Sequence, residues 1–147
     1  MDRREFAAGI LGLSALGAVE AQSSPTAATG LKELSSGTFK PGPAGKSSQA
    51  KRVSHPYVAG MLKAGNLRLE MHETIQEPGA EHEPVGTHKH NELWMVQRGV
   101  ATLYINGTEH RMEAGDVGLV CAGDEHWIKN AGDTELAYFV VSVGPPE

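Results

Sequence analysis

The dipeptide Asn106-Gly107 most restricts what this chain can fold into. It separates residues 101–105, which are rich in the apolar and β-branched side chains typical of strands, from a second short run at residues 108–112. Asn-Gly readily adopts the positive φ angles of a type I′ turn, which joins two adjacent antiparallel strands. The sequence therefore predicts a β-hairpin over residues 101–112.

Further short strands surround this hairpin. Strand-like segments occur at residues 67–72, 93–96, 117–121, 126–130 and 136–143, and Gly-rich turns separate several of them. None of these segments has a strong helical period. Many short strands favour a closed barrel or a sandwich, because closure removes exposed strand edges. The predicted fold class is therefore all-β.

The N-terminus differs from the rest of the chain. Two adjacent arginines, Arg3 and Arg4, precede a mild apolar stretch at residues 7–19, and small residues stand at positions 19 and 21, where a signal peptidase reads them. The pattern resembles a twin-arginine signal. That resemblance implies a signal peptide at residues 1–21 and an exported protein, periplasmic or extracellular. The apolar stretch is too short for a stable membrane span.

Composition divides the remaining chain into two parts. Residues 22–52 are rich in Ser, Thr, Ala, Gly, Pro and Lys, so we expect a flexible linker or a docked arm there. Residues 53–147 are expected to form the β-barrel domain. The net charge is −5 with no basic block, which argues against a nucleic-acid partner. The single cysteine, Cys121, excludes an internal disulfide.

A cluster of histidines carries the predicted chemistry. One residue separates His88 from His90, and Glu92 follows two residues later. Residues two apart face the same side of a strand, so the three side chains point the same way if one strand contains them. His126 could add a third imidazole from a distant part of the chain. Imidazole and carboxylate bind iron, manganese, zinc, nickel or copper, so we predict a site for one divalent transition metal ion.

These histidines resemble the two sequence motifs of the cupin family. The second motif, G-x5-P-x-G-x2-H-x3-N, matches residues 115–130 with every spacing kept and Cys121 in the place of the usual Pro. Parts of the first motif, G-x5-H-x-H-x3-4-E-x6-G, occur between residues 88 and 99. The resemblance covers about residues 65–143. It implies a single small jelly-roll barrel whose metal is held by three histidines and usually one glutamate. The metal ligands that it implies here are His88, His90, Glu92 and His126.

The spacing of the first motif leaves the ligand set open. Only Asn91 separates His90 from Glu92, where the family has three or four residues. Along a straight strand, His88 and Glu92 would lie roughly 13 Å apart, so a bulge would have to bring them together. If Glu92 does not coordinate, it could act as a catalytic general base.

A second alignment with the first motif starts from its last part, E-x6-G, at Glu92 and Gly99. His88 then takes the place of the second family histidine and Gly86 the place of the first. His90 becomes a neighbour in the loop, and His82 is a further candidate ligand from upstream.

The resemblance leaves two candidate functions and, as a third possibility, a structural barrel that has lost its metal. The first is an exported metalloenzyme with oxygenase-, isomerase- or lyase-type chemistry on a small organic substrate. The alternative is a non-catalytic module that binds a small ligand or a metal. Candidates to bind a substrate carboxylate are Arg68, Arg98, Arg111 and Tyr138. Cupin barrels often pair through strands near their N-terminus, which makes residues 53–62 a candidate homodimer surface here.

Overall fold

A computed structural model describes residues 30–45, 47 and 49–146. The predicted signal peptide lies outside these residues and stays a prediction. The described residues form eight strands and no helix, so they include no helix that could cross a membrane. The strands are β1 (Arg52–Met61), β2 (Arg68–Gln76), β3 (Asn91–Arg98), β4 (Val100–Ile105), β5 (Thr108–Glu113), β6 (Val117–Val120), β7 (His126–Asn130) and β8 (Leu136–Gly144).

Two antiparallel sheets face each other. The larger has the order β1-β2-β8-β3-β6 and the smaller has the order β5-β4-β7. Side chains from the inner faces of both sheets form one apolar core, because burying this surface is the main favourable term in folding. The all-β prediction is confirmed. The largest buried apolar contributors are Trp94, Val96, Leu103, Met112, Val120, Ile128, Leu136, Tyr138 and Val140.

The predicted hairpin is formed by β4 and β5. Their pairing runs from Val100 opposite Glu113 to Ile105 opposite Thr108. Asn106 and Gly107 both have positive φ, 44° and 90°, as a type I′ turn requires. The prediction of a hairpin at this dipeptide is confirmed.

Strand β1 was not predicted as a continuous strand. It contains Pro56, and its pairing with β2 shifts register between Pro56 and Val58. Proline cannot donate a hydrogen bond to the ladder, so within sheets it is restricted to bulges and edge strands, where that donor is not needed. Part of the segment before β1 lies along its outer edge, where backbone N–H groups of Leu34 and Gly45 donate to carbonyls of Met61 and Ser54 at 2.8 Å. The homodimer prediction concerns this same strand and stays a prediction.

A buried polar network crosses the barrel interior. The hydroxyl of Tyr138 donates to Oε1 of Glu83 at 2.8 Å and accepts from Nε2 of Gln76 at 2.8 Å. Oε1 of Gln76 in turn accepts the backbone N–H of Asn130 at 2.8 Å. Burial, reinforced by the nearby Glu83 carboxylate, raises the pKa of Tyr138 well above its ordinary value. The network joins β2, β7 and β8, and it fully engages the Tyr138 hydroxyl.

Candidate metal centre

The segment that precedes β3 runs beside β7. Backbone N–H groups of Glu83 and Gly86 donate to carbonyls of Ile128 and His126 at 3.0 and 2.8 Å. The N–H of His126 returns a hydrogen bond to the carbonyl of Gly86 at 3.0 Å. This pairing places the loop with His88 against the first residue of β7, although 38 positions separate His88 from His126 in the sequence.

Three potential ligands converge at this point. One ligand atom from each of His88, Glu92 and His126 lies within 4.8 Å of the others. His126 and Glu92 are buried, at 4% and 7% exposure, whereas His88 is half-buried. The convergence joins side chains from the loop, from β3 and from β7. The structure therefore contains a group of two histidines and one glutamate that could hold a metal.

A bend explains how His88 reaches Glu92. Strand β3 begins only at Asn91, and the chain bends at residues 89 and 90. His88 and Glu92 therefore do not lie on one straight strand, which would separate them by roughly 13 Å. Gly144 makes room for the bend, because a Cβ there would lie 2.5 Å from Cα of His90.

His90 lies beside the three-residue group and not within it. Its Nε2 is 3.1 Å from Oε1 of Glu92, and its ring stacks on His88 with centroids 4.7 Å apart. Ser142 also donates to Oε1 of Glu92, at 3.3 Å. Both contacts fix one oxygen of the carboxylate. The other oxygen, Oε2, is left facing His126.

His126 is held in the orientation that a metal ligand needs. Its Nδ1 lies 3.0 Å from the carbonyl of Asp124, to which a neutral ring donates its N–H. That hydrogen bond leaves the lone pair on Nε2, as is typical of metal-binding histidines. Nε2 lies 3.1 Å from Oε2 of Glu92. The Glu92 carboxylate raises the pKa of His126, against the lowering effect of burial.

One pair of donor atoms has the separation that a transition metal requires. Ligands about 2.1 Å from one ion lie about 3.0 Å apart when they are adjacent in an octahedral shell, close to the 3.1 Å between Nε2 of His126 and Oε2 of Glu92. Oε2 is buried and makes no properly directed hydrogen bond with any described residue. A buried acceptor without a donor costs about 1–3 kcal/mol, which a bound cation would offset.

Glu92 carries a negative charge over the physiological pH range. Burial raises its pKa, but the contacts with His126 and His90 outweigh burial and lower the pKa to about 2. Glu92 is therefore a carboxylate at any pH at which a histidine can bind metal.

Metal affinity is expected to depend on pH through His126. A metal binds only the neutral imidazole, so a proton must leave when the metal enters. Because the pKa of His126 is raised above 6.5, affinity should fall by about tenfold per unit as pH drops below that pKa. Glu92 adds no dependence in this range, since its pKa is about 2. Calorimetric titration with a divalent metal between pH 5.5 and 8.5 measures the effect; affinity unchanged across that range would contradict it.

The other sequence-predicted residues lie elsewhere. His82 is exposed and stacks on Trp127 with centroids 4.9 Å apart, outside the three-residue group. Arg98 and Arg111 pair with the exposed Glu135 and Glu113. Arg68, together with His90 and Ser142, lines a narrow gap beside the end of β8. Of the three arginine candidates, Arg68 is therefore the one that lines a gap with His90, whose Nε2 contacts Glu92.

A polar pair on β2 was not predicted from the sequence. Nδ1 of His72 lies 3.0 Å from Oε1 of Glu70. Farther along the strand, Thr74 and Gln76 are buried, so this polar row faces the barrel interior. Burial lowers the pKa of His72, but the contact with Glu70 and the charges of Glu83 and Glu92 outweigh it and raise the pKa. The sequence shows alternating apolar and polar side chains at residues 67–72, but it does not show that the polar ones face the barrel interior.

Comparison with known proteins finds similar domains. Residues 72–142 match the family model described as Cupin domain. The chain is similar to the oxalate-binding protein of Thermotoga maritima, with 34% identity over 62 residues, 40% of this chain and 51% of that protein. It is also similar to auxin-binding protein 1 of Arabidopsis thaliana, with 29% identity over 64% of this chain and 52% of that protein. The matches thus span about half the length of these curated relatives.

Solved structures agree on the fold. The crystal structure of a predicted oxalate decarboxylase from Thermotoga maritima superposes with a TM-score of 0.55 at 18% identity, covering 72% of this chain and 91% of that chain. An identity this low establishes the fold and nothing about activity. Together with the matched domain, it confirms the predicted jelly roll. The β-barrel of this protein therefore shares the fold of such structures, and residues 72–142 within it are similar to the Cupin domain model.

Proposed function

We propose that the barrel holds one divalent transition metal ion on His88, Glu92 and His126 and acts as a metalloenzyme on a small, oxygen-rich organic substrate. The observation that carries this proposal is the convergence of two imidazoles and one buried carboxylate, of which the oxygen Oε2 lacks a properly directed hydrogen bond. Such a constellation is costly without a cation and favourable with one.

The donor set favours iron(II) among the candidate metals. Two histidines and one carboxylate with open positions are the donors typical of non-haem iron oxygenases. A bound ion of this kind would supply Lewis acidity and open positions for oxygen ligands. This preference points to oxygenase-type chemistry ahead of the isomerase and lyase classes.

The protein's own residues would orient the ligands and exclude water. The Asp124 carbonyl fixes the tautomer of His126, and His90 with Ser142 fixes the Glu92 carboxylate. Trp94 is 2% exposed, and its ring centroid lies 6.0 Å from that of His126, so it closes the inner side of the site. A dry, preorganised site strengthens every charge interaction within it.

A small carboxylate is the substrate class that the surroundings support. Arg68 lies near His90 and Ser142 and offers a guanidinium that can pair with a carboxylate. The Thermotoga maritima relative is named for binding oxalate, a small dicarboxylate. Both observations support a substrate that places one carboxylate on the metal.

The alternative is a module that binds such a ligand without transforming it. The observation that favours it is the same relative's name, which describes binding and no reaction. Incubating the metal-loaded protein with small carboxylates and oxygen separates the two functions. Turnover supports the enzyme, and tight binding without turnover supports the module.

Metal analysis of protein purified without chelators tests the proposal. We expect about one metal ion per chain, with iron dominant when the protein is produced and handled without oxygen. Protein that stays metal-free even after reconstitution with iron(II), manganese(II) and zinc(II) would overturn the proposed site.

Replacing His90 with Ala should weaken metal binding without abolishing it. His90 holds Oε1 of Glu92 at 3.1 Å, and the loss of a residue that orients a ligand typically costs about 10–100-fold in metal affinity. Calorimetric titration of the wild type, His90→Ala and the control His82→Ala measures the effect. A complete loss would instead make His90 a ligand, and an unchanged affinity would remove its orienting role.

A further inference from the structure

The tip of the β4–β5 hairpin contacts the chain just before His126. Nδ2 of Asn106 donates to Oδ1 of Asp124 at 2.7 Å, and Oδ1 of Asn106 accepts the backbone N–H of Glu125 at 2.9 Å. The backbone N–H of Asn106 also donates to the carbonyl of Glu125 at 2.9 Å. One exposed turn residue therefore holds the two residues that precede a proposed metal ligand.

The shape of the turn alone does not require asparagine at position 106. Gly and Asp also accept the positive φ angles of a type I′ turn, and Asn106 has a φ of 44°. Glycine would remove both side-chain hydrogen bonds, and aspartate has no side-chain N–H to donate to Asp124. The bond between the Asn106 amide and the Asp124 carboxylate is charge-assisted, which makes it stronger than a neutral one. Asn106 therefore does more here than shape the hairpin.

The loop between β6 and β7, residues 121–125, connects this contact to both imidazoles of the metal group. The carbonyl of Asp124 lies 3.0 Å from Nδ1 of His126 and fixes the orientation of that ring. The backbone N–H of Gly123 donates to the carbonyl of His88 at 2.8 Å. The centroids of the two imidazole rings lie 5.3 Å apart. A displacement of the loop would therefore change the separation of two proposed ligands.

The same loop also contacts the start of β3. The backbone N–H of Ala122 donates to Oδ1 of Asn91 at 3.0 Å, and Asn91 directly precedes Glu92. All three segments that carry a proposed ligand are thus hydrogen-bonded to one short loop. Asn106 holds that loop from the hairpin tip.

We infer that Asn106 is a positioning residue for the metal group and acts by anchoring the β6–β7 loop, which holds His88 and His126. The inference rests on the metal site proposed above and adds a residue outside its ligand set. A metal binds tightly only when its ligands are held close to their bonding geometry. Contacts that orient ligands therefore contribute to the affinity, although they never touch the ion.

Calorimetric titration with manganese(II) of the wild type and two variants tests this inference. Asn106→Gly keeps a residue that suits the turn and removes both side-chain hydrogen bonds. We expect its manganese(II) affinity to fall about tenfold, at the lower end of the loss that is typical when an orienting partner is removed. The matched control is Asn66→Gly, because Asn66 also has a φ of 44° and lies in the turn between β1 and β2. It should bind manganese(II) as the wild type does.

An exchange of the two side-chain groups gives a rescue test. Asn106→Asp keeps a turn-forming residue but places two carboxylates together, so the metal affinity should fall. Adding Asp124→Asn restores a donor and an acceptor in reversed roles, together with the wild-type net charge, and should recover most of the affinity. The visible absorption of bound cobalt(II), which depends on ligand geometry, should change in Asn106→Gly and return to the wild-type spectrum in the double variant.

The outcomes separate this inference from the proposed function. A wild type that binds no metal overturns the metal site and the inference together. Wild-type affinity in a folded Asn106→Gly variant, or an equal loss in Asn66→Gly, overturns the positioning role alone. If Asn106→Gly does not fold, the exchange decides: affinity that stays low in the double variant overturns the role of Asn106.

Discussion

The variant His126→Ala is expected to lose stoichiometric metal binding. His126 supplies a buried nitrogen 3.1 Å from Oε2 of Glu92. It is the member of the three-residue group that β7 contributes. Removing it leaves two of the three donors, His88 and the buried Glu92, whose Oε2 then lacks its imidazole neighbour. A lost ligand costs more than a lost orienting residue, so the affinity should drop by more than about 100-fold.

His88→Ala should give the same loss, because it removes the only group member contributed by the loop before β3. The matched control is His110→Ala, since His110 is exposed on β5 and outside the group. Metal content after dialysis and calorimetric affinity measure the effect, with circular dichroism to verify folding. A folded His126→Ala protein that retains wild-type affinity would show that His126 is not a ligand.

The second large effect concerns the packing between the two sheets. Leu103 on β4 is 1% exposed and lies against Gly118 on β6. A Cβ added at Gly118 would come within 2.5 Å of Cδ2 of Leu103. Leu103→Ala would leave a cavity where the sheets meet. Such a truncation costs about 2–5 kcal/mol of the free energy of unfolding, because transfer and cavity terms add.

Leu119→Ala is the matched control for this prediction. Leu119 lies one residue from Gly118 but is 56% exposed, so its truncation should change the free energy of unfolding by less than about 0.5 kcal/mol. Urea unfolding followed by fluorescence measures both variants. Equal destabilisation by the two truncations would place the core elsewhere.

Much of the fold was predictable because local chemistry determines it. Asn106-Gly107 specified its hairpin through positive φ angles, which few other dipeptides accept. The strand ending at Asn130 was indicated by the turn that follows it, and the strand ending at Gly144 by its long run of mostly apolar residues. Strand β1 was harder to predict, because Pro56 interrupts its pattern and is accepted only through the register shift with β2.

The candidate site was only partly predictable from the sequence. The spacing of its histidines indicated a metal group, but the approach of His88 to Glu92 depends on a bend between them. Packing against Gly144 permits that bend, and Gly144 is more than 50 positions away in the chain. The polar contact between His72 and Glu70 was missed for a similar reason: alternation gives two faces, and only tertiary structure shows which one is inside.

Anomalous scattering from a crystal of the metal-loaded protein tests the central claim most directly. The account predicts one strong peak about 2.0–2.3 Å from Nε2 of His88, Nε2 of His126 and an oxygen of Glu92. A peak bound by other residues, or a metal held by His90 and His82 without His126, would contradict it.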